Sequence, residues 1–184
     1  MVEAALRTLI EEGYAGTSAR AIAARGPFNP ALIFYHYGSV DDLLLAALDK
    51  SSAERLERYR AAMSGPGTSD ELVRRASDLF REDVEGGHVT AVTELIGASL
   101  SRPDLRAELV ARMRPWLELT EQVLERVLAD SPLRALIPAA EPAAFAIVSG
   151  YLGLNMLSRL MPDLSQTERL FQLLEQLSRM ASSD

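Results

Sequence analysis

Between Thr17 and Ser39 the chain gathers groups that bond to phosphate oxygens and base edges. They are the hydroxyls of Thr17, Ser18 and Ser39, the Arg20 guanidinium, the Asn29 amide and the His36 imidazole. Pro30, Ala31, Leu32, Phe34 and Tyr35 stand among them, and apolar groups of this kind can meet thymine methyls or follow the shape of a groove. Arg20 is the candidate for a bidentate guanine contact, because a guanidinium fork matches the guanine O6 and N7 pair.

Such groups act together only if short elements hold them at one surface. The spacing predicts two short helices over about residues 18–37, joined by a tight turn. Thr17 or Ser18 can cap the first helix and Asn29 the second, while Pro30 falls at a first helical position, where its missing N–H costs nothing. Gly26-Pro27 is read as the stop of the first helix. A helix–turn–helix of this size presents the leading end of its second helix to a DNA major groove. Ile33 is expected to point back onto Ile22 and Ala23, and Tyr37 to join that core. His36 is read as packed and hydrogen-bonded at the end of its helix, not as a catalytic base.

The residues around this pair extend the pattern. Gly13-Tyr14 closes an opening helix, Thr17-Ser18 precedes Ile22-Ala23, and Pro27-Phe28-Asn29 leads into Ile33-Phe34-Tyr35-His36-Tyr37 and Gly38-Ser39-Val40-Asp41-Asp42-Leu43. The run from Ala4 to Leu48 resembles the N-terminal domain of the TetR family of transcriptional regulators. That resemblance implies an all-α protein with a three-helix DNA-binding domain over residues 1–48 and a helical ligand-binding and dimerisation domain over 49–184. It also implies DNA contacts from Thr17, Ser18, Arg20, Asn29, Pro30, Ala31, Leu32, Phe34, Tyr35, His36 and Ser39. Two positions depart from the family pattern. Phe34 stands where Tyr is usual and Val40 where Lys is usual, and both changes remove a phosphate contact. Relative to the pattern the first helix begins late, which implies a truncated chain or an internal start, with a basic arm missing.

Composition sets outer bounds. The 184 residues include no cysteine, which excludes disulfides and thiolate metal sites. The opening Met1-Val2-Glu3 carries no secretory pattern, so a cytoplasmic location is expected. Lys50 is the only lysine against many arginines, which suggests a GC-rich bacterial genome. The net charge is −7, and residues 1–50 set Arg7, Arg20, Arg25 and Lys50 against six carboxylates, a net of −2. Weak non-specific DNA binding follows, since basic faces supply that term. With two histidines on separate predicted helices and no phosphate-binding glycine loop, no enzyme activity, metal or cofactor is expected. The Glu85 and His88 pair is read as solvated charge.

The rest of the chain also reads as helix, giving about nine helices in all. Helix 4 starts at Ser39, with Ser39 and Asp42 as a shortened capping box, and Ser64–Ser69 is a loop. Further helices are predicted over about Asp70–Glu85, capped by Ser69, and over Val89–Ser101, Asp104–Ala129 with Pro115 inside, Pro142–Leu160 and Ser165–Met180. A break is placed at Met161-Pro162-Asp163.

Ala143–Ser158 has no charge over sixteen residues. It is read as too short and interrupted for a membrane span, and as hard for a chain of this size to bury fully alone, the alternative being the core of a monomer. The small residues Ala146, Ser149, Gly150 and Gly153 would let a second copy approach, with Leu170, Leu173, Leu174 and Leu177 on the last helix beside them. By the resemblance, these two helices form a homodimer interface.

Ligand-site candidates come from residue type and position: Phe80, Val84, His88, Met113, Trp116, Leu117, Thr120, Tyr151 and Asn155, with Glu94 and Met156 nearby. The expected partners are operator DNA, a second copy and a small apolar or amphipathic effector, with no membrane. The competing reading is an all-helical sensing or scaffold protein whose DNA-reading head has weakened.

Overall fold

Local capping decides where the first helices begin and end. Residues 1–65, 67–129, 132–161 and 165–181 are described in a computed structural model of the protein. Among them are nine α-helices, one 3-10 turn at Pro132–Ala135 and no strand. Helix α1 (Val2–Gly16) bends at Gly13, whose φ of 70° lies in the region that favours glycine. The expected close at Gly13 is therefore a kink, and one more turn follows it. The Thr17 hydroxyl donates to the Gly13 carbonyl at 2.7 Å, which ends that turn. Ser18, not Thr17, caps α2 (Ala19–Ala23), accepting from the Ala21 N–H at 3.2 Å.

Helix α2 stops at Ala23, before the expected Gly26-Pro27 boundary. The Arg25 and Gly26 N–H groups reach back three residues to Ile22 and Ala23, so the backbone has already tightened into turns. Helix α3 (Pro30–Tyr37) has the expected start: Asn29 Oδ1 accepts from the Leu32 N–H at 3.2 Å, and Pro30 opens the helix. It closes on Gly38, with φ 81° and its N–H on the Phe34 carbonyl. Helix α4 (Val40–Ser64) opens with Ser39 Oγ accepting from the Asp42 N–H at 3.0 Å and donating to its carboxylate at 2.6 Å.

Helices α5 (Ser69–Glu85), α6 (His88–Ser99), α7 (Pro103–Leu128), α8 (Ala140–Leu160) and α9 (Ser165–Ala181) complete the chain. The cap of α5 is Thr68 instead of Ser69; the Thr68 N–H donates to Glu71 at 3.1 Å. Helix α7 continues through Pro115. The break expected at Met161–Asp163 falls mostly outside the described residues.

The chain divides into two compact units, Met1–Arg55 with Gly87–Met113, and Leu56–Gly86 with Arg114–Asp184. The first takes in residues 87–113 as well as the N-terminal helices. There α1 packs on α2 and α6, and α2 on α3. Ala5, Leu9, Ile22, Ile33, Leu43, Leu44 and Leu95 are shut from solvent at its core. In the second unit α5 lies along α9, with Leu79, Phe80, Leu119, Leu128 and Ala144 buried.

Candidate nucleic-acid interface and ligand site

Helix α3 is anchored by one side chain and exposed on the others. Ile33 is fully buried against a core that includes Ile22 and Ala23, as its position predicts. Asn29, Pro30, Ala31 and Leu32 at the leading end are exposed. Phe34 is about half exposed at 53% and Tyr35 stands almost free at 82%. His36 is exposed as well, its ring edge-on to Tyr35 at 5.0 Å, so the expectation that it is packed fails. It follows Tyr35 onto the open side because the single anchor at Ile33 fixes only one face of so short a helix. Tyr37 is half-buried rather than fully in the core.

The other predicted contacts lie on the neighbouring segments. Ser18 and Arg20 are exposed, while Thr17 and Ser39 are partly so. The hydroxyls of Ser18 and Ser39 already serve their helix starts. Among the described residues Arg20 has no ion-pair partner, whereas Arg25 is held by Glu11 and by Glu12, the latter at 2.6 Å. Of Arg20 in α2 and Arg25 in the turn beyond it, then, Arg20 is the one available to an outside anion.

A side-chain cluster holds the base of α4 to α1. The Tyr14 hydroxyl donates to Asp41 at 2.8 Å, and Arg102 bonds to both Asp41 and Tyr14 with its guanidinium over the Tyr14 ring. Burial works against the Asp41 charge. The hydrogen bonds from Arg102 and Tyr14 and the Arg102 charge nonetheless hold its carboxyl below the usual range. Burial, then Asp41, push the Tyr14 phenol up. Glu94 accepts from the Tyr14 N–H at 3.0 Å, which commits it to this corner instead of a ligand site. The sequence offered Gly13-Tyr14 only as a motif; its partners lie too far along the chain for spacing to reveal.

The nine ligand candidates divide between the units. His88 and Met113 belong to the first, and the other seven to the second. His88 is buried with Nδ1 2.9 Å from Ser51 Oγ, so its reading as solvated charge is wrong: a neighbouring hydroxyl compensates the ring inside the core. Thr120 spends its hydroxyl on the Trp116 carbonyl at 2.8 Å. Met156 is 54% exposed and faces outward.

Tyr151, with Phe80 against it, belongs to a cluster around a group that the sequence reading missed. Asp83 is 1% exposed. Its Oδ2 accepts from the Tyr59 hydroxyl at 2.9 Å and the Tyr151 hydroxyl at 2.5 Å, and these two oxygens are 3.2 Å apart. Arg58 stands 3.6 Å from the other carboxylate oxygen. Phe80 meets Tyr151 edge-on at 5.1 Å, Phe171 at 5.6 Å, and Trp116 meets Tyr59 at 5.4 Å. Burial, with Tyr59 and Asp83 beside it, pushes the Tyr151 phenol far up, so it remains neutral. Asn155, one turn beyond Tyr151 on α8, is 1% exposed, and among the described residues its Oδ1 has no hydrogen-bond partner. An orphaned buried acceptor costs about 1–3 kcal/mol. The periodic position of Asp83 on α5 reads as ordinary surface charge, so no sequence signal marks it.

A separate open groove of about 740 Å³ on the second unit is lined by Arg60, Glu118, Glu121, Glu125 and Arg126 among others. None of the nine candidates lines it. Two of its charges are engaged: Glu125 pairs with Arg134 at 2.8 Å and Arg126 donates to the Met63 carbonyl at 2.6 Å.

The apolar helix α8 is longer than read from the sequence. Its 21 residues reach the length and mean hydropathy of a single apolar span, a weak signal that core helices of other proteins share. Only 11% of its apolar window is buried within the chain. Phe145, Ile147, Leu157 and Leu160 are exposed, as are Ala146, Ser149 and Gly150, with Gly153 partly so. On α9, Leu173, Leu174 and Leu177 are exposed and Leu170 partly so. A side chain added at Gly150 or Gly153 would meet nothing within 4 Å.

Comparison with known proteins places these features. Residues 1–47 match the family model described as "Bacterial regulatory proteins, tetR family". No curated protein matches the chain. Among solved structures, a TetR-family member from Streptomyces coelicolor A3 is 25% identical with a TM-score of 0.69, covering 96% of this chain and 94% of its own. The transcriptional regulator FadR from Bacillus subtilis, in complex with stearoyl-CoA, has a TM-score of 0.77 at 16% identity, covering 96% and 95%. A transcriptional regulator from Saccharomonospora viridis, in complex with choline, has a TM-score of 0.76 at 18% identity, covering 95% and 91%.

Proposed function

We propose that the chain, whose residues 1–47 match the tetR-family model and whose fold is similar to that of a TetR-family structure, binds a palindromic operator as a homodimer and represses transcription until a small effector releases it. The observation that carries this reading is the leading end of α3, Asn29 to Leu32, exposed on a helix locked from behind by Ile33. Helices dock by this end, with side chains reaching base edges and hydroxyls and amides meeting phosphate. Arg20 supplies the guanidinium beside it. The exposed apolar faces of α8 and α9 support the dimer. Their small residues at Ala146, Ser149, Gly150 and Gly153 leave room for a second copy's helices. Burying such a face in protein resolves its exposure without a membrane, in keeping with a cytoplasmic regulator.

Release follows from a change in spacing of the two reading heads, carried through α4, if the effector binds one spacing better than the other. The neighbours' bound molecules, stearoyl-CoA and choline, share no chemistry; they support a ligand site without naming its occupant. The net charge of −2 in residues 1–50, with Phe34 and Val40 replacing phosphate-binding residues, favours the second reading of a sensing protein with a weakened head. Selection of bound fragments from a random DNA pool separates the two. Enrichment of an inverted repeat is the expected result, and recovery of no sequence supports the weakened head.

A further inference from the structure

We infer that this protein reads its operator through the C5 methyl groups of thymine, at least two in each half-site, received by Ala31 and Leu32 in the leading turn of α3. The inference rests on the operator-binding reading and names the base feature which that reading leaves open.

Helix geometry sets which side chains lead. Ile33 is the buried anchor of α3. At about 100° per residue, Ala31 and Tyr35 fall about 160° from Ile33, one turn apart on the outermost line of the helix. Leu32 and Phe34 stand about 100° to either side of the anchor. All four are exposed, as that placement requires. The outermost line therefore carries a methyl group in the first turn and a phenol in the second.

Hydrogen-bonding side chains are missing from the turn that leads. Pro30, Ala31, Leu32 and Ile33 are hydrocarbon throughout, and the polar side chains of α3 are Tyr35, His36 and Tyr37, all in its second half. Asn29 stands just ahead, but its Oδ1 accepts from the Leu32 N–H at 3.2 Å. Paired contacts to adenine would need that oxygen, at the expense of the cap. A residue as small as Ala31 also keeps the backbone close to whatever the outer line meets.

The bases differ in how they meet such a surface. In the major groove the purines present N7 acceptors, cytosine an amino donor, and thymine a methyl beside its O4. Hydrocarbon pressed on a donor or acceptor removes its water without replacing the bond, which is unfavourable. Against the thymine methyl the same surface gains by burial. Arg20 is exposed and is the only arginine of α2, so a guanine contact falls to it and not to α3. The net charge of −2 over residues 1–50 weakens the general pull of phosphate, so base-edge burial carries a larger share of the affinity.

The test uses the full chain and the duplex enriched from a random pool. Its thymines are replaced one at a time by deoxyuridine, which keeps the pairing and the groove acceptors and removes only the methyl. Affinity is read by anisotropy of the labelled duplex. At two or more positions in each half-site it should fall about fourfold, the worth of one buried methyl. Leu32→Ala should bring the uracil penalty below twofold at one of those positions and leave the other. Leu32 is on the surface, so the variant should fold; Ala31→Gly, read in the same way, addresses the second position. An absence of any uracil penalty overturns the methyl assignment and leaves the regulator reading intact, with groove shape as the source of specificity. An enriched half-site with fewer than two thymines overturns it likewise. Penalties unchanged in both variants overturn the assignment to Ala31 and Leu32. Enrichment of no sequence overturns the operator reading and this inference with it.

Discussion

Helices α3 and α8 both hold large apolar side chains in solvent, but the company they keep differs. On α3, Leu32, Phe34 and Tyr35 are interleaved with Asn29 and His36, and Arg20 and Ser39 lie on neighbouring segments. On α8, Phe145, Ile147, Leu157 and Leu160 are interleaved with glycine, alanine and serine. The first face can exchange water for phosphate and base edges, contact by contact. The second offers almost no hydrogen bonds, so only another apolar surface can cover it at a gain. On this proposal exposure alone does not tell a nucleic-acid face from a protein face; the polar groups between the apolar ones do.

The two helices are also held differently, and variants can separate them. Truncating the sole buried anchor of α3, in Ile33→Ala, should cost about 2–5 kcal/mol of stability by thermal melting. It should lower DNA binding and leave the oligomeric state of the folded fraction unchanged. Gly150→Leu meets open space in its own chain, so the subunit should fold normally. Each copy should nevertheless weaken the dimer by about 1–3 kcal/mol through overpacking, read by light scattering. A normal dimer in that variant removes α8 from the interface.

Smaller effects sharpen the account of the proposed DNA face. Val40→Lys restores a cation beside the Ser39 cap. It should steepen the fall of affinity with salt by about 0.9 log unit per log unit of salt for the phosphate regained. An unchanged slope places Val40 away from the backbone. Asp41→Asn should weaken the corner that Tyr14, Asp41 and Arg102 form. Because the Asp41 carboxyl titrates below its ordinary 3.8 in the folded chain, its stabilisation is full above that pH and disappears as pH falls through the lowered value. The melting-temperature gap between the natural chain and Asp41→Asn should therefore close in strong acid.

The fold near α3 was legible because its signals are local. Asn29, Pro30 and Gly38 act within four residues of themselves, and the helix starts and stops where they direct. The end of α2 was misplaced because Gly26-Pro27 is a stronger written signal than the backbone turns that close the helix at Ala23. The buried cluster around Asp83 was legible only in part. Phe80, Trp116, Tyr151 and Asn155 were singled out by type, but Asp83 lies 24 residues from Tyr59 and 68 from Tyr151. No spacing rule joins residues so far apart. The same distance hid Arg102 from Tyr14 and Asp41, 88 and 61 residues away.

The central claim is that the leading end of α3, with Arg20 beside it, receives a duplex. A low-salt gel shift with DNA from upstream of the protein's own gene tests it most directly. The natural chain should give a sequence-specific shift at micromolar protein. Arg20→Ala should lose about 1–3 kcal/mol of specific affinity, roughly 10- to 100-fold, with its dimer intact. An unchanged shift in Arg20→Ala would remove that residue from the face, and no shift by the natural chain would contradict the account outright.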